Sequence, residues 1–444
     1  RSKKPNQKQQ IERLCPSLSQ HPMAVKHLAE YIAFFFVGSA IGWFPVDAVL
    51  NLATNEPALG ATWIGKIIFI GGIVGLADGI LYLIYLHALP KRSSLRQEQI
   101  FVMLLATICV VSLLLLTTSW QVGAPHYPIV ILATVLGNLI VNCTYYVSFP
   151  MIATFYGGWL VAPVRTGTDI SVLISNVIGE AQNPSGSKNI FPSWELFLIY
   201  TTFPVVGLVA WILIVRFQIG LQSGDEDLEK EASSQGDVEA AEAAASQKPG
   251  VPTLSVMAAL ACPRKLLVPV LLGSLADLFQ WGVLASLSFV GATMTDPVSC
   301  MGSQGLFVAR TSTTVNRVLL PVGSMLSSLL PCPRWIFIIL SGIQSLAILM
   351  VLLAVSGSAR DFWTSTFGQD LYMVCNGVVG VLEGYILTMA FRFVGDDQSV
   401  SLKDRRTASG LLGFLNVFLV CIGQIVSGQL SSSGLVSCTD DGST

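Results

Sequence analysis

The chain has 444 residues, a mean hydropathy of +0.65, 52% hydrophobic residues and only 12% charged ones. A soluble domain carries about a quarter charged residues, and no basic tract with interleaved aromatics suits nucleic acid, so both classes are set aside. The apolar runs are long and continuous rather than short and alternating, which predicts an all-α polytopic membrane protein and excludes a barrel.

Residues 1–27 are polar and carry six Lys and Arg. The chain opens on Arg1 rather than Met, so a longer amino terminus is expected. The apolar run from Leu28 to Leu52 is too long for a signal peptide and lacks a small-residue cleavage site, so it reads as a retained first span. Eleven spans are expected, near 28–52, 63–87, 100–119, 128–154, 157–178, 193–216, 265–292, 305–330, 333–356, 371–393 and 407–430. With the amino terminus cytoplasmic, inside segments hold 19 of the 25 Lys and Arg, against Lys188 and Arg360 outside. That asymmetry predicts an extracellular carboxyl terminus, with the plasma membrane as the default location. The expected organisation is a cytoplasmic basic segment (1–27), a six-helix bundle (28–216), a disordered acidic linker (217–264), a five-helix bundle (265–430) and an extracellular tail (431–444). This six-plus-five arrangement resembles a major-facilitator- or equilibrative-nucleoside-like layout, which would let two bundles rock about a midplane site.

The polar residues inside these spans are the functional candidates. In the first span Pro45 frees backbone groups at mid-membrane, beside Trp43 as a stacking surface and Asp47 as an acceptor or protonatable group. The stretch from Val141 to Leu173 carries Asn142, Tyr145 and the pair Arg165 and Asp169, four residues apart on one helix face. That pair either lines a watery cavity or staples two helices together. The seventh span adds Asp277, Gln280 and Trp281, and the eighth Asn316 and Arg317, the latter free to pair with Asp277, Asp169 or Asp47. Glu383 and Arg392 in the tenth are weaker candidates. Midplane aromatics and amides suit a planar polar solute, with stacking from Trp43, Tyr145 and Trp281 and hydrogen bonds from Asn142, Gln280 and Asn316. Arg165, Asp169, Asp277 and Arg317 form the charged path or lock the bundles, and the acids allow proton coupling. Cys300 and Cys438 both fall in expected extracellular segments and form a candidate disulfide. No nucleotide-binding, nucleophile or zinc motif is visible, and the cysteines and histidines do not cluster, so neither an enzyme, a cofactor nor a metal is expected.

The order of features resembles the vertebrate-type riboflavin transporter family, itself related to the equilibrative nucleoside transporters. Asn142-Cys-Thr-Tyr-Tyr-Val-Ser-Phe-Pro-Met resembles that family's fourth-span Cys-Thr-x-x-Val-Thr-Phe followed by proline. Gly167-x-Asp169-x-Ser171 falls where the family has Gly-Gln-Gly-x-Ser, and Asn316 where it has Asn-Pro. Gly282-Val-Leu-Ala-Ser-Leu-Ser-Phe289 is similar to its seventh-span Asn-Gly-Val-Leu-Pro-Ser-x-Gln-Ser, with Trp281 standing at the asparagine. The nucleoside branch has its own likeness in Gly38-Ser-Ala-Ile-Gly-Trp43-Phe and Glu383-Gly-Tyr-Ile. The resemblance implies a carrier of small solutes across the bilayer, riboflavin first and nucleosides or nucleobases second, with a non-transporting receptor as the outlying alternative.

Overall fold

Among the described residues helix lies at each of the eleven expected apolar runs, the first of which holds two helices. The computed structural model describes residues 25–55, 62–88, 95–122, 127–183, 189–221, 264–284, 303–357 and 359–432, with short pieces at 287–288, 291–292 and 294–296. The basic amino-terminal segment before residue 25, the linker between 222 and 263, the tail beyond 432, Cys300 and Cys438 lie outside the described residues. The helices are α1 (Val25–Ala40), α2 (Phe44–Asn55), α3 (Thr62–Ala88), α4 (Leu95–Gln121), α5 (Tyr127–Cys143), α6 (Val161–Gln182) and α7 (Ser193–Phe217). They continue with α8 (Arg264–Asp277), α9 (Ser303–Leu329), α10 (Arg334–Val355), α11 (Thr366–Gly395) and α12 (Leu402–Ser432). Among the described residues no strand forms.

By length and hydropathy, seven helices of the described residues can cross a membrane, or eight if the bent pair α1 and α2 is one span. α3, α6 and α9 fall outside that set; α6 carries Arg165, Asp169 and Glu180, and α9 carries Arg310 and Arg317. Arg165 and Asp169 are buried against protein, as charges within a span must be, and Arg317 is half-buried, while Glu180 and Arg310 are exposed. In the seventh span α8 gives way to a π-helical turn at Leu278–Leu284, and helix is described again at 287–288 and 291–292.

Two groups of helices, α1–α7 and α8–α12, meet along two seams: α6 against α9, and α12 against α3 and the helical turns at 144–156 that follow α5. Backbones touch where side chains are smallest. A Cβ on Gly38 or Gly167 would lie 2.0 Å from the carbonyl oxygen of Val164 or Phe35, so only glycine lets α1 and α6 cross so closely. Gly413 does the same at the seam, 2.0 Å from the Tyr145 oxygen. The outer surface is apolar, with Leu198, Val209 and Ile212 on α7 and Ile338, Leu346 and Leu349 on α10 all exposed, as helices facing lipid require. Inside, buried Thr117, Thr134, Thr154 and Thr388 return their hydroxyls to the carbonyl four residues back, leaving no donor stranded in hydrocarbon.

Candidate functional site

The site begins at the break in the first span. Pro45 removes a backbone donor, and the helix axis turns by 47° between α1 and α2. The groups released at the bend are satisfied from other helices. The Trp43 N–H donates to the Ser171 hydroxyl of α6 at 2.8 Å, and Thr144, in the π-helical turn after α5, donates to the Ile41 carbonyl at 3.1 Å. The bend thus holds Trp43 toward the second helix group, where its indole stacks on Trp281 with ring centroids 4.9 Å apart and 17° between planes. Trp281 itself sits in the π-helical turn after α8. Such a turn inserts one extra residue per cycle and re-aims the side chains that follow.

Below the stacked indoles lies a buried charge cluster. Arg165 of α6 is 1% exposed, and its Nη2 donates to Glu383 Oε1 of α11 at 2.7 Å. Its Nε stands 3.0 Å from Asp169 Oδ1, an ion pair off hydrogen-bond alignment, and its Nη1 donates to the Tyr145 hydroxyl. The Ser324 hydroxyl of α9 donates to the other oxygen of Asp169. Asp277 is the fourth member: its carboxyl neighbours that of Glu383, and each keeps one buried oxygen without a donor. One guanidinium therefore faces three carboxyl groups in a water-poor core. The cluster joins the two helix groups, because Arg165, Asp169 and Tyr145 belong to one and Asp277, Ser324 and Glu383 to the other.

A second polar layer lies on the far side of the indoles. Arg317 of α9 donates to the Asn176 amide oxygen of α6 and attracts the buried Asp47 carboxyl electrostatically, while Asp47 Oδ2 has no donor. Of the three partners open to Arg317 from sequence, Asp47 is the one its charge reaches, and Asn176 takes the hydrogen bond. Gln280 and Asn316 are bonded to each other through both amides, at 2.6 and 3.2 Å, and Asn316 also donates to the Asn376 carbonyl at 2.8 Å. In this conformation those amides serve each other. Asn142 donates to Asp78 of α3 at 3.0 Å, an acid the sequence reading passed over although it stands inside an apolar run.

The central cavity between these layers is about 20 Å³, bordered by Trp43, Asn142, Tyr145, Asp277, Trp281 and Gln424. That is room for about one water. The two helix groups also touch where the Gly158 N–H donates to Asp396 at 2.8 Å and the rings of Phe149 and Phe391 meet at 5.4 Å, and again through the indole stack and the Arg317–Asn176 bond. Glu383 proves central where the sequence made it a weak candidate, and Ser324, Asn176 and Asn376 join without having been singled out. An acid in an apolar run was the only signal for Glu383, and its partners lie 218 and 106 positions away.

Compared by sequence, the chain matches no family model and no curated protein. Its likenesses are to solved structures. An E. coli fucose:proton symporter superposes with a TM-score of 0.50 at 13% identity, covering 92% of this chain and 98% of that one. A proton:xylose symporter of the major facilitator superfamily, bound to 6-bromo-6-deoxy-D-glucose, superposes with a TM-score of 0.53 at 12% identity, covering 93% and 96%. The fold is that of the major facilitator superfamily. The likeness runs over almost the whole of each chain.

Proposed function

We propose that the chain is an alternating-access carrier for a planar heteroaromatic solute, with riboflavin as the favoured substrate and a proton as its companion. The observation that carries this reading is the Trp43–Trp281 stack. Each indole belongs to a different half, so the two faces meet when the halves close and part when they open. A planar ring entering the parted site would find an indole on either side, a platform of two bicyclic rings that favours a large heteroaromatic over a single pyrimidine. Near it stand buried polar atoms with no hydrogen-bond partner among the described residues: Trp281 Nε1, Asp47 Oδ2 and Asp277 Oδ1. A polar solute would satisfy them.

The proton enters through charge balance. Asp277 and Glu383 can bond each other only if one carries a proton, and losing it leaves two anions in the core. The two structural neighbours are proton symporters. We place the amino-terminal face in the cytoplasm and the protein in the plasma membrane, on the strength of the Lys and Arg distribution.

The test is uptake into vesicles holding the purified protein, with labelled riboflavin, uridine and xylose in parallel and an imposed pH gradient. The expected result is saturable riboflavin entry, abolished by Trp281→Ala. Asp277→Asn should retain exchange at equilibrium while losing gradient-driven accumulation. Uridine entry alone would move the substrate to the nucleoside branch. Entry of none of the three would leave a receptor as the better reading.

A further inference from the structure

A second and larger cavity lies away from the central one. α3 packs on α5 and α12, while α4 packs on α5 and α7, so a gap remains between α3 and α4 with α5 as its floor. Its volume is about 490 Å³. Tyr82, Phe101, Leu139, Cys143 and Tyr146 give it a largely apolar wall, and Tyr82 and Tyr146 stack at 4.9 Å with 11° between planes. Asp78 also lines it and is 8% exposed. Asn142 donates to Asp78 Oδ2 at 3.0 Å, and among the described residues no hydrogen bond reaches Oδ1. No cation pairs with Asp78 among the described residues; the nearby Glu98 is matched by Arg406.

The chemistry of this wall is selective. A carboxylate set in an apolar chamber needs a counter-charge, and stacked phenol rings offer a cation their faces. A divalent metal would need several oxygen or nitrogen ligands, and no group of three or more metal-ligating side chains stands anywhere among the described residues. An anion would be repelled, and a neutral solute would leave the carboxylate uncompensated. Asp78 also lies ten residues from the end of α3 at Ala88, about 15 Å along the helix, which is deep for the amine of a lipid headgroup.

We propose that the cavity between α3 and α4 is a second ligand site, for a monovalent organic cation with an apolar aromatic body, its charge seated against Asp78 and its body along Tyr82 and Tyr146. Asn142 lines the central cavity and donates to Asp78, which lines the second, so one hydrogen bond links the two sites.

The probe is N-methyl-4-phenylpyridinium, with 4-methylbiphenyl as its neutral counterpart, titrated into the full chain in phosphatidylcholine nanodiscs. Saturable binding of the cation and none of the neutral compound is expected, together with slower maleimide labelling of Cys143 in the bound protein, read by peptide mass mapping. Asp78→Asn should weaken binding by about tenfold or more. Leu139→Trp, which fills the cavity and leaves Asp78 in place, should weaken it comparably in protein that still elutes as a single species. Equal binding of both compounds, no binding of the cation, or unchanged Cys143 labelling would overturn the proposal. Loss of cation binding when phosphatidylethanolamine is included would also overturn it, by assigning the carboxylate to a lipid amine.

Discussion

Arg165 shows how much a single side chain can tie together. It reaches Asp169 on its own helix, Tyr145 in the π-helical turn after α5 and Glu383 on α11, and it is 1% exposed. Removing a buried partner strands the remaining charges, at a cost of about 3–5 kcal/mol. Arg165→Met should therefore lower the unfolding temperature of the detergent-purified protein sharply, whereas Glu383→Gln, which keeps an oxygen for Nη2, should lower it far less. Equal melting of both variants and the parent would mean the guanidinium is not held as described. The i, i+4 spacing made the Arg165–Asp169 pair legible in sequence, because one helical turn suffices to see it. Glu383 and Ser324 were not legible as its partners, since nothing local marks which buried acid or hydroxyl of another helix will arrive. Exchanging the pair, with Asp at 165 and Arg at 169, should consequently fail to restore stability: the reversed arginine loses Tyr145 and Glu383, contacts that a simple two-residue staple would not have.

At the scale of the helix, apolar length located the eleven segments, and Pro45 marked the bend in the first. The π-helical turns at Thr144–Ser148, Ile152–Tyr156 and Leu278–Leu284 left no such mark, because hydrophobic period does not distinguish one inserted residue. Those turns decide where Tyr145 and Trp281 point, which is why the candidates were nameable while their geometry was not. The amides illustrate the same limit: Gln280 and Asn316 read as independent hydrogen-bonding residues but close on each other. Glycine offers a sharper test. Gly413→Ala places a methyl 2.0 Å from the Tyr145 oxygen at the seam, whereas Gly342→Ala on α10 meets nothing within 4 Å. Gly342→Ala should alter stability by no more than about 1 kcal/mol. Gly413→Ala should destabilise well beyond that or abolish uptake, with melting temperature and transport measured on the same preparations. Matching behaviour of the two would place α12 farther from Tyr145 than the structure has it.

For the whole molecule the decisive feature is that polar clusters join the two halves both above and below the indoles. A carrier of this fold has to open one end while the other stays shut. At the amino-terminal end the halves meet at a narrow contact: the Gly158 N–H bonds Asp396, and a Cβ at residue 158 would stand 2.8 Å from that carboxylate and 3.0 Å from the Arg392 Cα. A side chain at 158 would therefore meet the one at 396, the approach a disulfide needs. Cysteines introduced by Gly158→Cys and Asp396→Cys should therefore cross-link under mild oxidant and hold that end closed. Solute bound from the opposite side could still enter the central site, but it could not leave through the amino-terminal face. Net uptake should fall to background on oxidation and return on reduction, while substrate binding survives in both conditions. Uptake that continues through the cross-linked protein would show that the halves need not separate at Gly158, and would move the moving part of the cycle to the α3–α12 seam.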